Sequence, residues 1–270
     1  MRSELIKRVI KMEHILSLSY GKDSLACLGA IEQLGLPLDR IIHSEIWATK
    51  TIPADLPPMI EFKAKADKII KERYGITVEH VSAGVTYEDV FYRVAKSGGK
   101  SKNSGHIYGF PMIKGAWCNS KLKVSALNKI DKNAVSYIGI AYDEPKRFKV
   151  LSERKVSPLV KANWTEKMCY DWCLKNDLLS PIYHTSARGG CWFCHNQSVE
   201  QLRLLRHNYP DYWELLMKWD RDSPISFKPE HTVHDYDKLF QLEDEGVIFP
   251  NDDCFRWDWL SSDIQLKFFA

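Results

Sequence analysis

The sequence predicts an α/β fold, a doubly wound parallel sheet carrying helices on both faces, with a mainly helical C-terminal extension. Three observations predict it. A short apolar run, His14 to Ser19, ends in a glycine turn and passes straight into a stretch with apolar residues at helical spacing. The same strand-to-helix alternation then recurs, which is the pattern of a parallel sheet covered by helices. Beyond Val199 the alternation stops.

Taken in order, His14 to Ser19 reads as a mostly buried strand, and Lys22 to Leu34 as a helix with Leu25, Leu28, Ala30, Ile31 and Leu34 on its apolar face. A strand at Arg40 to Trp47, a long helix from Pro58 to Tyr74 and a strand at Thr77 to Val81 follow. Lys96 to Gly109 is rich in Ser, Gly and Lys and reads as a basic loop, either a solvated excursion or a lid over a phosphate-bearing ligand. A helix is expected over Lys121 to Lys129, a strand over Ala134 to Ile140 and a helix over Thr165 to Asn176. The tail offers two helical stretches, Val199 to Asn208 and Tyr212 to Asp220, then a segment rich in Asp and aromatic residues without clear periodicity. Its tryptophans, Trp213, Trp219, Trp257 and Trp259, are expected to pack as a cap rather than line an interaction surface.

A chain of 270 residues is long enough for one substantial core and a smaller appended region, divided here as 1–198 and 199–270. With 44% hydrophobic and 27% charged residues the composition is that of a globular protein, and a net charge of +3 neither requires nor excludes a nucleic-acid partner. Met1 to Ile10 lacks the apolar stretch of a secretory signal, and no segment approaches the ~18 apolar residues of a membrane span, so a cytoplasmic protein without a membrane partner is expected. In that reducing setting seven cysteines point to metal or cluster ligands before disulfides.

The first candidate site is the turn Ser19-Tyr20-Gly21-Lys22-Asp23-Ser24. A strand delivering this hexamer into a helix N-terminus presents backbone N–H groups to an anion. Gly21 permits close approach, Ser19 and Ser24 offer hydroxyls, Lys22 offers positive charge, and Asp23 is suited either to cap the helix or to position Mg²⁺. The Walker spacing G-x-x-x-x-G-K-[ST] is absent. The second candidate is Cys191-Trp192-Phe193-Cys194 after Gly189-Gly190, a C-x-x-C clip of the kind that holds Zn²⁺ or an iron–sulfur cluster. Cys27, Cys169 and Cys173 fall among apolar residues on helices and read as core thiols.

The hexamer, placed between the first strand and helix, resembles the loop of the PP-loop superfamily, Ser-x-Gly-[Gly/Lys]-x-Asp-Ser, which includes ATP pyrophosphatases and adenylyl-transferring enzymes with a Rossmann-like sheet. Within it, the phosphoadenosine phosphosulfate reductase-like family is the branch that three further segments resemble. Trp117-Cys118-Asn119-Ser120-Lys121-Leu122-Lys123 looks like that family's Trp-Cys-Thr-x-x-Leu-Lys region. Gly139-Ile140-Ala141-Tyr142-Asp143-Glu144 with Arg147 is similar to its Gly-[Ile/Leu]-Arg-Ala-Asp-Glu-Ser-x-Arg element, with Ala141 in place of the usual Arg. Val156 to Leu159 and Trp164-Thr165 resemble its Pro-[Leu/Ile]…Asp-Trp-Thr segment, with Asn163 replacing the Asp. The resemblance covers residues 14–198.

It implies an adenine-nucleotide site at the carboxyl ends of the strands, with Ser19, Tyr20, Gly21, Lys22, Asp23 and Ser24 on one side and Asp143, Glu144 and Arg147 across from them. Lys22, Asp23 and Arg147 are its catalytic candidates. It also implies that Cys118 joins Cys191 and Cys194 as a metal ligand, with His195, His184, Cys254 or an exogenous ligand in a fourth position, and it leaves Zn²⁺ and a [4Fe-4S] cluster both open. Family members that reduce the non-phosphorylated substrate carry adjacent cysteines where this chain has Trp117-Cys118. A sulfonucleotide reductase ranks second, because the family's Glu-Cys-Gly-[Ile/Leu]-His tail is missing and Asp252 and Asp253 flank the lone C-terminal Cys254. The expected activity is ATP- and Mg²⁺-dependent adenylylation of an acceptor, serving sulfur transfer to a nucleic acid or small molecule with a sulfur-donor protein as partner. A non-catalytic nucleotide-binding module is the third reading, and a homo-oligomer is left open.

Overall fold

The computed structural model describes residues 12–96, 104–112, 115–127, 133–149, 153–184, 189–251 and 255–257. The centre of the basic loop, Lys129, Arg188, Asp252, Asp253, Cys254, Trp259 and the side chain of His184 lie outside the described residues. The chain forms two compact units that interleave along the sequence. The first comprises Met1–Ile46, Asp55–Gly84 and Ser120–Gly189, and the second Trp47–Ala54, Val85–Asn119 and Gly190–Ala270.

The first unit is built on a five-stranded, all-parallel sheet of β1 (His14–Leu18), β2 (Arg40–Glu45), β3 (Val78–Ser82), β4 (Val135–Tyr137) and β5 (Lys155–Val156), in the order β3-β2-β1-β4-β5. Leu16 lies opposite Ile41 on one side and Tyr137 on the other. Side chains alternate across the strands. Leu16, Leu18 and Ile41 face the larger core, while Ile15, Ile42 and Ala134 form a smaller cluster with Val81 and Leu127.

Helix α1 (Lys22–Leu34) follows β1, and α2 (Pro57–Tyr74) joins β2 to β3. Both end on a glycine in the left-handed conformation, Gly35 at φ 60° and Gly75 at φ 71°, which explains why both sequence patterns stop where they do. Eight consecutive residues of α1, Ser24 to Ile31, are buried. Gly29 is required there, since a Cβ would stand 2.4 Å from Trp172 Nε1 and 2.9 Å from Trp164 Cη2.

The second unit contains α3 (Tyr87–Phe91) and, after the sheet unit's α4 (Ser125–Leu127), α5 (Pro145–Phe148), α6 (Pro158–Lys161) and α7 (Glu166–Lys175), the helices α8 (Val199–Asn208), α9 (Pro210–Asp222) and α10 (Val233–Asp244). Its core is aromatic, with Tyr87, Phe91, Phe110, Trp192, Trp219, Phe227 and Phe240 fully buried. Trp213 and Trp219 pack inside as expected, at 5% and 0% exposure.

Three expectations are corrected. The segment read as aperiodic is α10, whose Val233, Tyr236, Leu239 and Phe240 recur at helical spacing and are buried. Its acidic residues mask the pattern because they are engaged: Asp235 forms a capping box with Thr232, and Glu243 and Asp237 accept from Arg203 and Arg206 of α8. The helix expected over Lys121 to Lys129 starts instead as a π-helix, Asn119–Val124, before α4. The strand expected over Ala134 to Ile140 shrinks to Val135–Tyr137, since the chain beyond it leaves the sheet. Among the described residues no helix is long and apolar enough to cross a membrane.

Candidate functional site

In the sheet order, β1 stands between β2 and β4, so the connections leaving β1 and β4 diverge to opposite sides. Such a switch point opens a crevice at the carboxyl ends of the two strands, the usual ligand position in open parallel sheets. The Ser19 to Ser24 loop follows β1, and the Gly139 to Arg147 segment follows β4.

The loop is closed around Ser24. Its Oγ accepts from the Ser19 amide at 3.1 Å, contacts Ser19 Oγ at 3.0 Å and donates to the Gly21 carbonyl at 2.9 Å. Gly21 is the N-cap of α1 and supplies no side chain, so no capping side chain covers the first N–H donors of the helix. One of them, the Lys22 amide, donates to the Tyr183 hydroxyl at 2.9 Å. Tyr20 takes the left-handed conformation, φ 58°, and its ring is fully buried, with its hydroxyl bonded to Asp67 and to His80 Nε2 at 3.2 Å. Only its backbone is therefore available to a ligand.

Asp23 does not cap α1. Carboxylate oxygens of Asp23, Glu144 and Glu166 lie within 4.8 Å of one another. Lys22 Nζ joins them, 2.8 Å from Asp23 and 3.4 Å from Glu166. Burial raises the Asp23 pKa, the Lys22 contact pulls it back, and the like charges of Glu166 and Glu144 push it up again. Burial works against the Lys22 ammonium, yet its bond to Asp23 and the charges of Asp23 and Glu166 prevail, leaving its pKa above the ordinary value. Three carboxylates against the Lys22 ammonium and the Arg147 guanidinium make a set of hard oxygen donors still one positive charge short, which fits Mg²⁺.

Other residues hold this set in place. The Glu166 amide donates to Asp143 Oδ1 at 3.0 Å, fixing the start of α7, and the Ala141 amide donates to Glu144 Oε2 at 3.2 Å. Arg147 Nη1 is bound by both oxygens of Glu144, at 2.7 and 2.8 Å, so its charge is spent on that carboxylate. Gly139 is pressed against the start of α1, where a Cβ would stand 2.5 Å from the Ser24 nitrogen and 2.7 Å from the Asp23 carbonyl carbon. Glu166 and Tyr183 escaped the sequence reading. Glu166 had a signal, as the first helical residue after Thr165 in a motif already noted, whereas nothing local marks Tyr183.

The thiols form a separate centre in the second unit. The C-x-x-C turn is pinned by Cys194 N to Cys191 O at 3.0 Å, by Gln197 Nε2 to Cys191 O at 3.0 Å, and by Trp192, whose N and Nε1 donate to the Ala54 and Pro53 carbonyls at 3.0 and 2.9 Å. Tyr87 lies between Trp117, the neighbour of Cys118 in the chain, and Phe193 of the clip, its ring centroid 4.9 Å from that of Trp117 and 4.2 Å from that of Phe193. Its hydroxyl is buried and has no hydrogen-bond partner among the described residues. Burial first, and then the negative charges of Cys118, Cys191 and Cys194, hold its phenol pKa well above the ordinary value. All three thiols act on one buried, unpartnered phenol, and soft sulfur donors of this kind suit a thiophilic metal or cluster, although among the described residues only Asp23, Glu144 and Glu166 have ligand atoms all within 4.8 Å of one another. Burial lowers the pKa of the half-buried Lys228 ammonium, and its proximity to Cys194 partly offsets that. Cys27, Cys169 and Cys173 are buried in the sheet unit's core, and burial raises the pKa of each. The protein-family models, the curated proteins and the solved structures contain no match to this chain.

Proposed function

We propose that the chain is an ATP-dependent adenylyl-transferring enzyme of the PP-loop type. The observation that carries this reading is the convergence of Asp23, Glu144 and Glu166 beside a serine-closed loop at the switch point of a parallel sheet. Mg²⁺ held by these carboxylates would neutralise the polyphosphate and polarise the phosphorus under attack. The backbone amides at the start of α1 and the Lys22 ammonium bind the phosphates and stabilise the charge that develops on the leaving group. An acceptor oxygen bonds to the α-phosphorus, the bond to pyrophosphate breaks, and the acceptor proton passes to solvent. Asp143 and Arg147 act indirectly, Asp143 by fixing Glu166 and Arg147 by orienting Glu144.

Cys118, Cys191 and Cys194 are proposed to hold a metal or iron–sulfur cluster, which would supply a soft site for sulfide; sulfide then bonds to the activated carbon of the adenylylated acceptor, a nucleic acid or small molecule, as the bond to AMP breaks. The Asp23→Ala variant tests the nucleotide reading. AMP or pyrophosphate release should drop by at least about a hundredfold, given the usual weight of such electrostatic groups. Turnover equal to wild type sinks the proposal.

A further inference from the structure

We propose that the Tyr87 hydroxyl donates an O–H···S hydrogen bond to a sulfur of the group held by Cys118, Cys191 and Cys194, and so positions that group. The inference rests on reading these cysteines as ligands. A tyrosine hydroxyl buried without a partner costs roughly 1–3 kcal/mol, and buried tyrosines ordinarily find one. Tyr87 is 1% exposed, and no described residue accepts from it. The ring cannot turn away to find another acceptor, because Phe193, Trp117, Trp219 and Phe91 surround it with centroids 4.2, 4.9, 5.1 and 6.0 Å away. Two of those neighbours are tied to the thiols by the chain itself, Trp117 preceding Cys118 and Phe193 lying between Cys191 and Cys194.

The sulfurs have the complementary need. A metal-bound thiolate or an inorganic sulfide keeps lone pairs directed outward, and hydrogen bonds to them set both metal retention and, in clusters, the reduction potential. The surrounding wall is apolar: Trp192 and Trp219 stack at 5.5 Å and are fully buried. In such a setting one phenol donor has a large effect, since the Tyr87 hydroxyl itself is closed to water.

The test uses the full chain purified without oxygen as wild type, Tyr87→Phe and Cys191→Ala. Bound zinc and iron are measured first, then the rate of metal loss to an excess of chelator and, if iron is present, the midpoint potential. Tyr87→Phe keeps the ring and removes only the unpartnered hydroxyl, so its circular dichroism and melting temperature should match wild type or improve slightly. The expected result is metal bound by wild type, with affinity reduced about 10- to 100-fold in Tyr87→Phe and, for a cluster, a lower midpoint potential. Equal retention and equal potential in the two proteins overturn the role of Tyr87 and leave the ligand assignment standing. Wild type without metal, or Cys191→Ala with the full wild-type content, overturns the ligand assignment and this inference with it.

Discussion

His43 sits between an obligate acceptor and an obligate donor. Its Nδ1 is 2.9 Å from the Leu18 carbonyl and its Nε2 is 2.8 Å from Lys63 Nζ, so the ring must carry its proton on Nδ1 and stay neutral. Burial, and then the Lys63 charge, lower its pKa from 6.5 to about 3. As pH falls, the unfolded chain therefore takes up this proton first. His43 contributes stability that is complete above pH 6.5 and is lost as pH falls toward 3, at up to about 1.4 kcal/mol per pH unit. Urea unfolding at a series of pH values should show this slope in wild type and a shallower one in His43→Asn. Equal slopes would contradict it. At the same scale, Ser24→Ala removes the atom that closes the loop and should cost about 1–3 kcal/mol of stability together with nucleotide affinity. Calorimetry and titration with ATP would check both, and unaltered ATP affinity would show that loop closure is not needed for binding.

At the scale of elements, α1 depends on what the β4 connection permits. Gly139 touches backbone atoms of Asp23 and Ser24, which cannot rotate away as a side chain can. Gly139→Ala should force the loop from the β4 connection, costing about 1–3 kcal/mol and weakening nucleotide binding more than Ser24→Ala does. A melting temperature and ATP affinity equal to wild type would refute this. Legibility along the chain follows element size. Helices α1 and α8 are read to the residue, and β1, β2, β3, α2 and α7 to within two, because their periodicity and end signals are local. The strand β5 has two residues and β4 three, so both exist only through their pairing. Helix α10 was missed for the opposite reason, its acidic residues being caps and ion-pair partners rather than loop formers.

At the scale of the whole molecule, two units carry two different chemistries, hard oxygen donors in the sheet unit and soft sulfur donors in the aromatic one. None of the six described cysteines is in a disulfide. Visible spectra of the anaerobically purified protein should show a sulfur-to-iron absorption that Cys191→Ala abolishes if the centre holds a cluster. Colourless protein with stoichiometric zinc would assign the thiols a structural role.

By itself the sequence determined the parallel α/β class, the loop hexamer and the C-x-x-C clip, since each is a matter of periodicity or of residues a few positions apart. Only the tertiary structure decided that Glu166 joins Asp23 and Glu144, that Tyr183 meets the Lys22 amide and that Arg147 is taken by Glu144. It also turned Tyr20 into the core and buried Tyr87 with its hydroxyl unpartnered among the described residues. Glu166 and Tyr183 act on residues more than a hundred positions away, and such a partnership leaves no spacing to read. It arises because strand order and packing bring distant segments to one crevice, and because a buried polar group must take whatever partner the fold supplies.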